Sequence, residues 1–281
     1  MELYADLHLH STFSDGSLTP EELVKECYKK DIYAISLTDH DNIGGVEIAR
    51  KSAQIYKIEF IPGVELSTQS EFNETEEIHI LGYYINENDP MFNEKLLFFQ
   101  KAREERAKKI RERLATLGIN INERTIKEIS QKGSIGRMHF ARILVEKEIV
   151  SSIKEAFEKY LSYGKPAFIP RLKLSTKDAI KLILSNGGIP VVAHPVFGAN
   201  DKNIISRLRD YGLKGIEVFY PEHNQSHIAK YINWAEEFNL CITGGSDFHG
   251  TTKGRETKLG ENILPYRYVE LLQQCNKLLN S

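Results

Sequence analysis

Cysteine is scarce in this sequence: Cys27, Cys241 and Cys275 are the three thiols among 281 residues. Three widely separated cysteines do not make a disulfide framework, and none has the Cys-x-x-Cys spacing of a zinc site. The sequence also lacks internal repeats and any apolar run long enough to cross a bilayer. Its first residues are acidic and lead straight into a strand, unlike a signal peptide. These absences predict a cytoplasmic globular protein without a membrane segment, and no pattern indicates an obligate protein partner.

The net charge of -2 conceals an uneven distribution along the chain. Residues 95–171 contain 18 Lys and Arg against 9 Asp and Glu, and the rest of the chain is acidic. A basic segment of this kind is commonly a solvated helical face. It can also attract an anionic substrate, and the motifs described below favour that second interpretation.

Strands and helices alternate in the first and last parts of the chain. The predicted strands cover residues 3–9, 33–38, 59–65, 78–85, 189–193, 215–220 and 240–243. Helix signals stand between most of them; the first is Thr19 as a cap, followed by Pro20 and two acidic residues. The pattern predicts an α/β fold, a distorted TIM-like (β/α)7 barrel with its active site at the carboxyl-terminal face of the strands.

Helices alone are predicted in the middle of the chain. They cover residues 91–117, 122–130 and 138–147, and a fourth opens with a capping box at Ser152. We interpret residues 89–171 as a helical insertion that caps the barrel mouth. Residues 1–88 and 172–281 are then the two parts of the barrel.

Two histidines, His8 and His10, lie two positions apart on the first predicted strand and therefore share a face. Buried imidazoles need partners for their ring nitrogens, and a divalent metal ion is a common one. A pair of hydrogen-bonded core histidines is the alternative, because His-x-His alone is a weak motif.

Further histidines and carboxylates fall at other strand ends or on strand faces. The complete predicted ligand set is His8, His10, Asp15, His40, Glu65, His79, His194, Asp247 and His249. This number exceeds the four to six positions around one ion, so it predicts two or three ions with a bridging carboxylate. Imidazole and carboxylate without thiolate suit manganese, zinc or iron. Asp39 and Asp41 flank His40 and are predicted to orient its ring.

Six stretches that contain these ligands occur in a characteristic order. They are His8-x-His10 with Asp15, Thr38-Asp39-His40-Asp41, Pro62-Gly63-Val64-Glu65, His79-x-Leu81-Gly82, Ala193-His194-Pro195 and Ser246-Asp247-x-His249. This set resembles the motifs of the PHP (polymerase and histidinol phosphatase) family of metallophosphoesterases. The resemblance implies a distorted β/α barrel with a bi- or trinuclear centre, for which manganese is favoured. The implied ligand groups are His8, His10, Glu65 and Asp247 for one ion, Glu65, His79 and His194 for a second, and Asp15, His40 and His249 for a third.

The helical insertion carries three more motifs. They are Lys101-Ala102-Arg103-x-x-Arg106, Gly136-Arg137-x-His139-Phe140-Ala141-Arg142, and Tyr163-Gly164-Lys165-Pro166-Ala167 followed by Arg171. They resemble the cap of one PHP branch, the nucleoside 3',5'-bisphosphate phosphatases and their relatives that trim short RNA from the 5' end. Met138 stands where that branch often has proline.

The resemblance implies substrate-binding roles for Arg103, Arg106, Arg137, His139, Lys165 and Arg171. Guanidinium groups also suit phosphate oxygens because they bind them in a bidentate manner. A salt-bridged helix surface is the alternative interpretation of Arg103 and Arg106. His223, just beyond a predicted strand end, is a further candidate for substrate contact.

The favoured function is hydrolysis of the 3'-phosphate of a nucleoside 3',5'-bisphosphate, such as 3'-phosphoadenosine 5'-phosphate, by a metal-activated water. No residue type singles out the general acid, for which His139 and His223 are candidates. A 5'-to-3' exoribonuclease acting on short RNA is the second interpretation. Histidinol phosphate is a third and disfavoured substrate, because its amine would meet a basic cap. A non-catalytic nucleotide- or nucleic-acid-binding module is the alternative from another class, and the complete ligand set counts against it.

Overall fold

The structure is a computed structural model that describes residues 3–72, 77–133, 135–170, 172, 174–250, 258–261 and 264–280. One sheet of eight strands forms its centre. The strands are β1 Tyr4–Leu9, β2 Ala34–Leu37, β3 Glu59–Gln69, β4 Glu77–Tyr83, β5 Ile189–Val192, β6 Gly215–Phe219, β7 Cys241–Gly244 and β8 Leu264–Pro265.

The sheet consists of two parallel sets joined by one antiparallel strand. β1, β2 and β3 are parallel neighbours, and so are β5, β6 and β7, whereas β4 pairs antiparallel with both β3 and β5. Few residues separate β3 from β4, and a parallel return would need about a dozen or more. The return is therefore antiparallel, and it brings the start of β4, with His79, to the edge where the parallel strands end.

The sheet curls until its two sides nearly meet. Leu9 at the end of β1 bridges Phe248 just after β7, and the backbone N–H of His10 donates to the carbonyl of Phe248 at 3.0 Å. At the other end of β1, Tyr4 pairs with Pro265 of β8. A strand of two residues leaves no periodic signal, so β8 is absent from the predicted strands. The predicted TIM-like fold is confirmed as a nearly closed barrel of eight strands.

Helices surround the barrel and fill the middle of the chain. They are α1 Pro20–Lys29, α2 Val46–Tyr56, α3 Pro90–Thr116, α4 Glu123–Lys132, α5 Arg137–Glu146, α6 Ile153–Ala156, α7 Thr176–Ser185, α8 Lys202–Tyr211, α9 Gln225–Phe238 and α10 Arg267–Leu279. A π-helical turn at Phe157–Leu161 and a 3-10 turn at Pro195–Phe197 complete the set. None of the described helices has the length and apolarity that a membrane crossing requires.

The long helix α3 links two hydrophobic clusters. Its first half contributes Phe92 and Leu96 to a cluster that packs helices against the barrel sheet. Its second half contributes Ile110 and Leu114 to a separate cluster, whose members in the described part of the chain all lie between positions 107 and 169. A core of its own is what a helical insertion requires. The predicted bounds of that insertion, residues 89–171, stay a prediction.

Candidate metal centre

The side chains of the predicted ligand set meet at the carboxyl-terminal edge of the parallel strands. His8 lies on β1, with His10 directly after it; Glu65 lies on β3 and His79 on β4. The others follow strand ends, as expected for an α/β barrel whose loops at this face carry the site. Contacts between neighbours join the whole set into one network.

Glu65 is the centre of this network and is only 1% exposed. One of its oxygens, Oε1, lies 2.8 Å from His79 Nδ1 and 3.2 Å from His194 Nε2. The other, Oε2, faces three imidazoles, at 3.4 Å from His8 Nε2, 3.2 Å from His10 Nε2 and 3.0 Å from His40 Nδ1. A carboxylate whose two oxygens face different groups of imidazoles has the arrangement of a bridging ligand.

Asp247 and Asp15 complete the network on the other side of His10. Asp247 Oδ1 lies 3.1 Å from His10 Nε2 and 3.5 Å from both His8 Nε2 and His249 Nδ1. Asp15 Oδ1 lies 3.1 Å from His249 Nε2. Ligands of one tetrahedral zinc ion, bound at 2.0–2.1 Å, are separated by roughly 3.3 Å, so these contacts have the spacing of ligands around shared ions.

Four overlapping groups place their ligand atoms within 4.8 Å of one another. They are His10, Asp15, His40 and His249; His8, His194 and Asp247; His8, His10 and Glu65; and His40, Glu65 and His79. The ligand group that the resemblance implies for a third ion, Asp15, His40 and His249, recurs here with His10 added. His194 is grouped here with His8 and Asp247, whereas the resemblance groups it with Glu65 and His79. How the ligands divide among ions stays a prediction.

Buried ring nitrogens and carboxylate oxygens without hydrogen bonds indicate whether these residues suit metal ions. Among the described residues, His8 Nε2, His10 Nε2, Asp15 Oδ1 and Glu65 Oε2 are buried without a hydrogen bond of acceptable geometry. Buried polar atoms without such a bond are rare and costly unless something else binds them. All four point into the network, so the donor set fits divalent cations.

Opposite charges within the network shift the pKa values of its carboxyl groups. Burial acts to raise the pKa of Glu65, but the imidazoles of His40, His79 and His8 overcome it and hold that pKa well below its usual range. Burial also acts to raise the pKa of Asp15. His249 and His40 outweigh burial and hold that pKa well below its usual range. Both carboxyl groups are therefore ionised at neutral pH, as metal ligands must be.

The network forms part of the wall of an open cavity of about 440 Å³. Ligand-binding cavities typically have volumes of about 300–1,000 Å³. Met138, Phe197 and Tyr220 give the wall an apolar part, and Glu77 and Glu222 add acidic groups. A phosphate ester with an organic group attached could therefore reach the network.

Two residues beside the ligands escaped sequence analysis. Glu217 accepts hydrogen bonds from the His8 ring and the His194 backbone, at 2.9 and 2.6 Å. The Tyr220 hydroxyl donates to Asp247 Oδ2 at 3.1 Å. A charged residue between Ile216 and Val218 on a predicted buried strand was the available signal for Glu217.

Asp39 and Asp41 are predicted to orient His40, and the contacts described for them involve serines and Arg103. Asp39 accepts hydrogen bonds from Ser11 and from Ser14, whose hydroxyl lies 3.3 Å from the His10 ring. Asp41 accepts from the backbone N–H of Ser67 at 3.0 Å and from Arg103. Among the contacts of the described residues, Asp41 reaches His40 through Ser67, whose hydroxyl lies 3.4 Å from the ring.

Arg103 and Arg106 are each only 6% exposed and lie outside the cavity wall. Arg103 donates to Asp41 Oδ2 at 2.7 Å and to the Ser67 hydroxyl at 2.9 Å. Arg106 donates to the carbonyl of Ile169 at 2.8 Å. Both guanidinium groups therefore hold the protein together here, because packing turns them toward protein acceptors. Their contact with substrate stays a prediction.

Arg137 contacts a residue of the cavity wall. Its guanidinium donates to Glu77 Oε1 at 3.0 Å, and Glu77 lines the cavity. The same group lies over the rings of Phe157 and Phe168. Lys165 is exposed and does not line the cavity, and Arg171 lies outside the described residues.

His139 and His223 are both buried and neither lines the cavity. His139 Nδ1 accepts the backbone N–H of Gly136 at 3.0 Å, and burial lowers its pKa to about 4. His223 Nδ1 donates to the carbonyl of Val218 at 2.8 Å, and burial also lowers its pKa. Neutral, enclosed imidazoles are poorly suited to the role of general acid that sequence analysis considered for them.

A family model described as "PHP domain" matches residues 6–168 of the chain. A 5'-3' exoribonuclease of Haemophilus influenzae is 35% identical over 269 residues, which span 92% of this chain and 96% of that protein. A 3',5'-nucleoside bisphosphate phosphatase of Chromobacterium violaceum is 34% identical over 266 residues, or 92% of each protein.

Solved structures resemble this fold over nearly the whole chain. A candidate metal-dependent phosphoesterase of Bifidobacterium adolescentis has a TM-score of 0.87 and 26% identity, covering 98% of this chain and 96% of that one. A Chromobacterium violaceum protein described as an amidohydrolase has a TM-score of 0.82 and 31% identity, covering 96% of each chain.

Proposed function

The chain belongs to the PHP family of metal-dependent phosphoesterases, and we propose that it removes the 3'-phosphate from nucleoside 3',5'-bisphosphates. The observation that carries this proposal is the network of imidazoles and carboxylates that opens into the cavity. We assign the predicted ligand set to two or three divalent ions, with manganese favoured over zinc or iron. The Chromobacterium violaceum relative with the corresponding name supports the substrate class.

When bound, divalent ions neutralise phosphoryl oxygens and make water a nucleophile near neutral pH. The chain's own part is to hold the ligand groups in place and to orient the ester. Glu65 contributes one carboxylate oxygen to each of two groups of imidazoles. Tyr220 fixes Asp247 through its hydroxyl, and Phe197 and Met138 offer an apolar surface to a nucleoside.

Arg137 is the cation that we assign to the second phosphate. It is 18% exposed in its side chain and contacts Glu77 at the cavity wall. A phosphate bound there would compete with Glu77 for the guanidinium, which binds phosphate in a bidentate manner. Lys165 and Arg171 remain predicted contacts that nothing in the described geometry supports.

A 5'-to-3' exoribonuclease is the second candidate, because relatives from Haemophilus influenzae and Escherichia coli carry that name. The same ligand network would act on a diester instead of a monoester. A non-catalytic binding module is disfavoured because all predicted ligands converge. The cytoplasmic location stays a prediction from the few cysteines.

The test compares phosphate and nucleotide release from 3'-phosphoadenosine 5'-phosphate, adenosine 5'-phosphate, histidinol phosphate and a 5'-phosphorylated RNA trimer, with manganese or with a chelator. We expect chelator-sensitive release of phosphate from the bisphosphate. Arg137→Ala should raise KM for the bisphosphate about 10- to 100-fold, since a hydrogen bond to a charged group contributes roughly 1.5–3 kcal/mol.

Arg124→Ala is the matched control, because Arg124 on α4 is exposed and pairs with Glu128 away from the cavity. Mononucleotides released from the trimer, without phosphate from the bisphosphate, would establish the exoribonuclease instead. No turnover of any of these substrates by metal-loaded protein would refute both proposals.

A further inference from the structure

Glu217 lies in the middle of β6 and has none of its surface exposed. Its neighbours Ile216 and Val218 belong to the cluster that packs helices against the outside of the sheet. Because side chains alternate along a strand, Glu217 faces the barrel interior. A carboxylate in such a place is costly unless its oxygens are hydrogen-bonded, so its partners indicate its role.

Both partners of Glu217 belong to the predicted ligand set. Its Oε1 lies 2.9 Å from His8 Nδ1, and its Oε2 accepts the backbone N–H of His194 at 2.6 Å. His8 comes from β1 and His194 follows β5, so one side chain of β6 joins ligands from two other strands. The two imidazole rings are stacked with centroids 5.7 Å apart.

The contact with His8 determines which ring nitrogen carries the proton. A carboxylate beside Nδ1 stabilises the tautomer with its proton on that atom, and the lone pair then lies on Nε2. His8 Nε2 faces Glu65 Oε2 at 3.4 Å and Asp247 Oδ1 at 3.5 Å. The nitrogen that is turned toward the candidate metal centre is therefore the one able to bind a cation.

The contact with His194 holds an unusual backbone conformation. His194 has φ 24° and ψ 64°, in a region that residues other than glycine rarely adopt. Such conformations persist at functional sites when surrounding contacts enforce them. The hydrogen bond to Glu217 is such a contact, and it fixes the direction in which the His194 ring leaves the backbone.

We propose that Glu217 is a positioning residue for the metal centre, which sets the His8 tautomer and the His194 backbone together. The proposal rests on the metal centre proposed above and is independent of the choice of substrate. Carboxylates that orient metal-binding histidines typically contribute 10- to 100-fold to metal affinity or activity.

The test is Glu217→Gln, which keeps the shape of the side chain. Its amide oxygen can accept from the His194 N–H, but its NH2 then faces His8 Nδ1, which must become an acceptor. The proton of His8 would move to Nε2 and block it. We expect zinc affinity, measured by calorimetry, to fall about 10- to 100-fold. In long-range ¹H–¹⁵N spectra of the zinc-saturated protein, the His8 Nδ1 signal should differ between the variant and the wild type.

The matched control is Glu59→Gln, because Glu59 also accepts two side-chain hydrogen bonds, from Tyr266 and Gln273, at the start of β3. Glu59→Gln should leave the zinc affinity and the His8 spectrum unchanged. Zinc affinity of Glu217→Gln within twofold of the wild type, or an unchanged His8 Nδ1 signal, would overturn the proposal. If Glu217→Gln does not fold, Glu217→Asp, whose shorter side chain cannot reach both partners, must weaken zinc binding for the proposal to stand. Absence of zinc binding by the wild type would refute the metal centre itself.

Discussion

His139 accepts a hydrogen bond at the start of α5, and its protonation depends on the pH of the solution. Its Nδ1 accepts the N–H of Gly136, the residue before α5, and the residue is only 9% exposed. Burial, the largest influence, lowers the pKa of the ring to about 4 from 6.5. The folded protein therefore keeps this imidazole neutral at pH values where the unfolded chain would protonate it.

Because of His139, the free energy of unfolding of the wild type should decrease as the pH is lowered. Above pH 6.5 both states are neutral and the full contribution is present; between pH 6.5 and about 4 the unfolded state alone binds the proton. The loss amounts to about 3 kcal/mol at its limit. His139→Asn keeps an acceptor near the Gly136 N–H but does not titrate.

Urea unfolding of wild type and His139→Asn at several pH values, all with chelator, tests this prediction. The difference in the free energy of unfolding between the two proteins should change in favour of the variant as the pH falls from 7 to 4.5. Taking the difference removes the titration of histidines that both proteins share. Parallel curves would show that His139 titrates normally in the folded protein.

At the scale of elements, α3 is anchored to the barrel by a buried ion pair. Arg103, in the middle of the helix, binds Asp41 in the segment after β2 and Ser67 on β3. The side chains of Arg103 and Asp41 are 7% and 5% exposed. The pair lies where α3 passes from the barrel cluster to the separate cluster of the middle segment, so it fixes one part of the protein relative to the other.

Arg103→Met should destabilise the fold strongly, because removing one partner leaves the other charge buried. Losses of about 3–5 kcal/mol are typical for such changes. Urea unfolding measures the effect. Lys108→Met is the matched control on the same helix, since its pair with Glu105 is exposed, and it should leave stability unchanged within experimental error. Unchanged stability of Arg103→Met together with a raised KM would favour the substrate-binding role implied by the family resemblance.

The metal centre connects the whole barrel, because its ligands come from strands on both sides of the closure. β1 supplies His8, β3 supplies Glu65, β4 supplies His79, and Asp247 follows β7. Ions that bind the folded state alone stabilise it by mass action, by about 4 kcal/mol at a thousand times Kd. Their binding should therefore stabilise the complete molecule against unfolding, and not just one loop.

We expect the melting temperature to rise as manganese is added and to return to its starting value with excess chelator. Glu65→Gln should show a much smaller rise, because the changed side chain faces both groups of imidazoles. Differential scanning calorimetry measures both effects. Identical melting curves for the wild type with manganese and with chelator would contradict a metal centre of this extent.

Local sequence patterns determined much of the fold and of the candidate site. Strand periodicity and the helix caps predicted seven of the eight strands and the helices of the middle segment, because both signals depend on neighbouring residues. The predicted ligands converge because their strands end at one face, which is a general property of β/α barrels. The order of the motifs alone indicates the PHP family.

Only the tertiary structure decided which polar groups meet across long distances in sequence. Glu217 contacts His8 across 209 positions, and Arg103 contacts Asp41 across 62. Neither contact leaves a local pattern, so the pairing of Glu217 with His8 and that of Arg103 with Asp41 were not predicted. A buried charge takes whichever partner packing brings within hydrogen-bonding distance, and packing depends on the complete barrel rather than on any single segment.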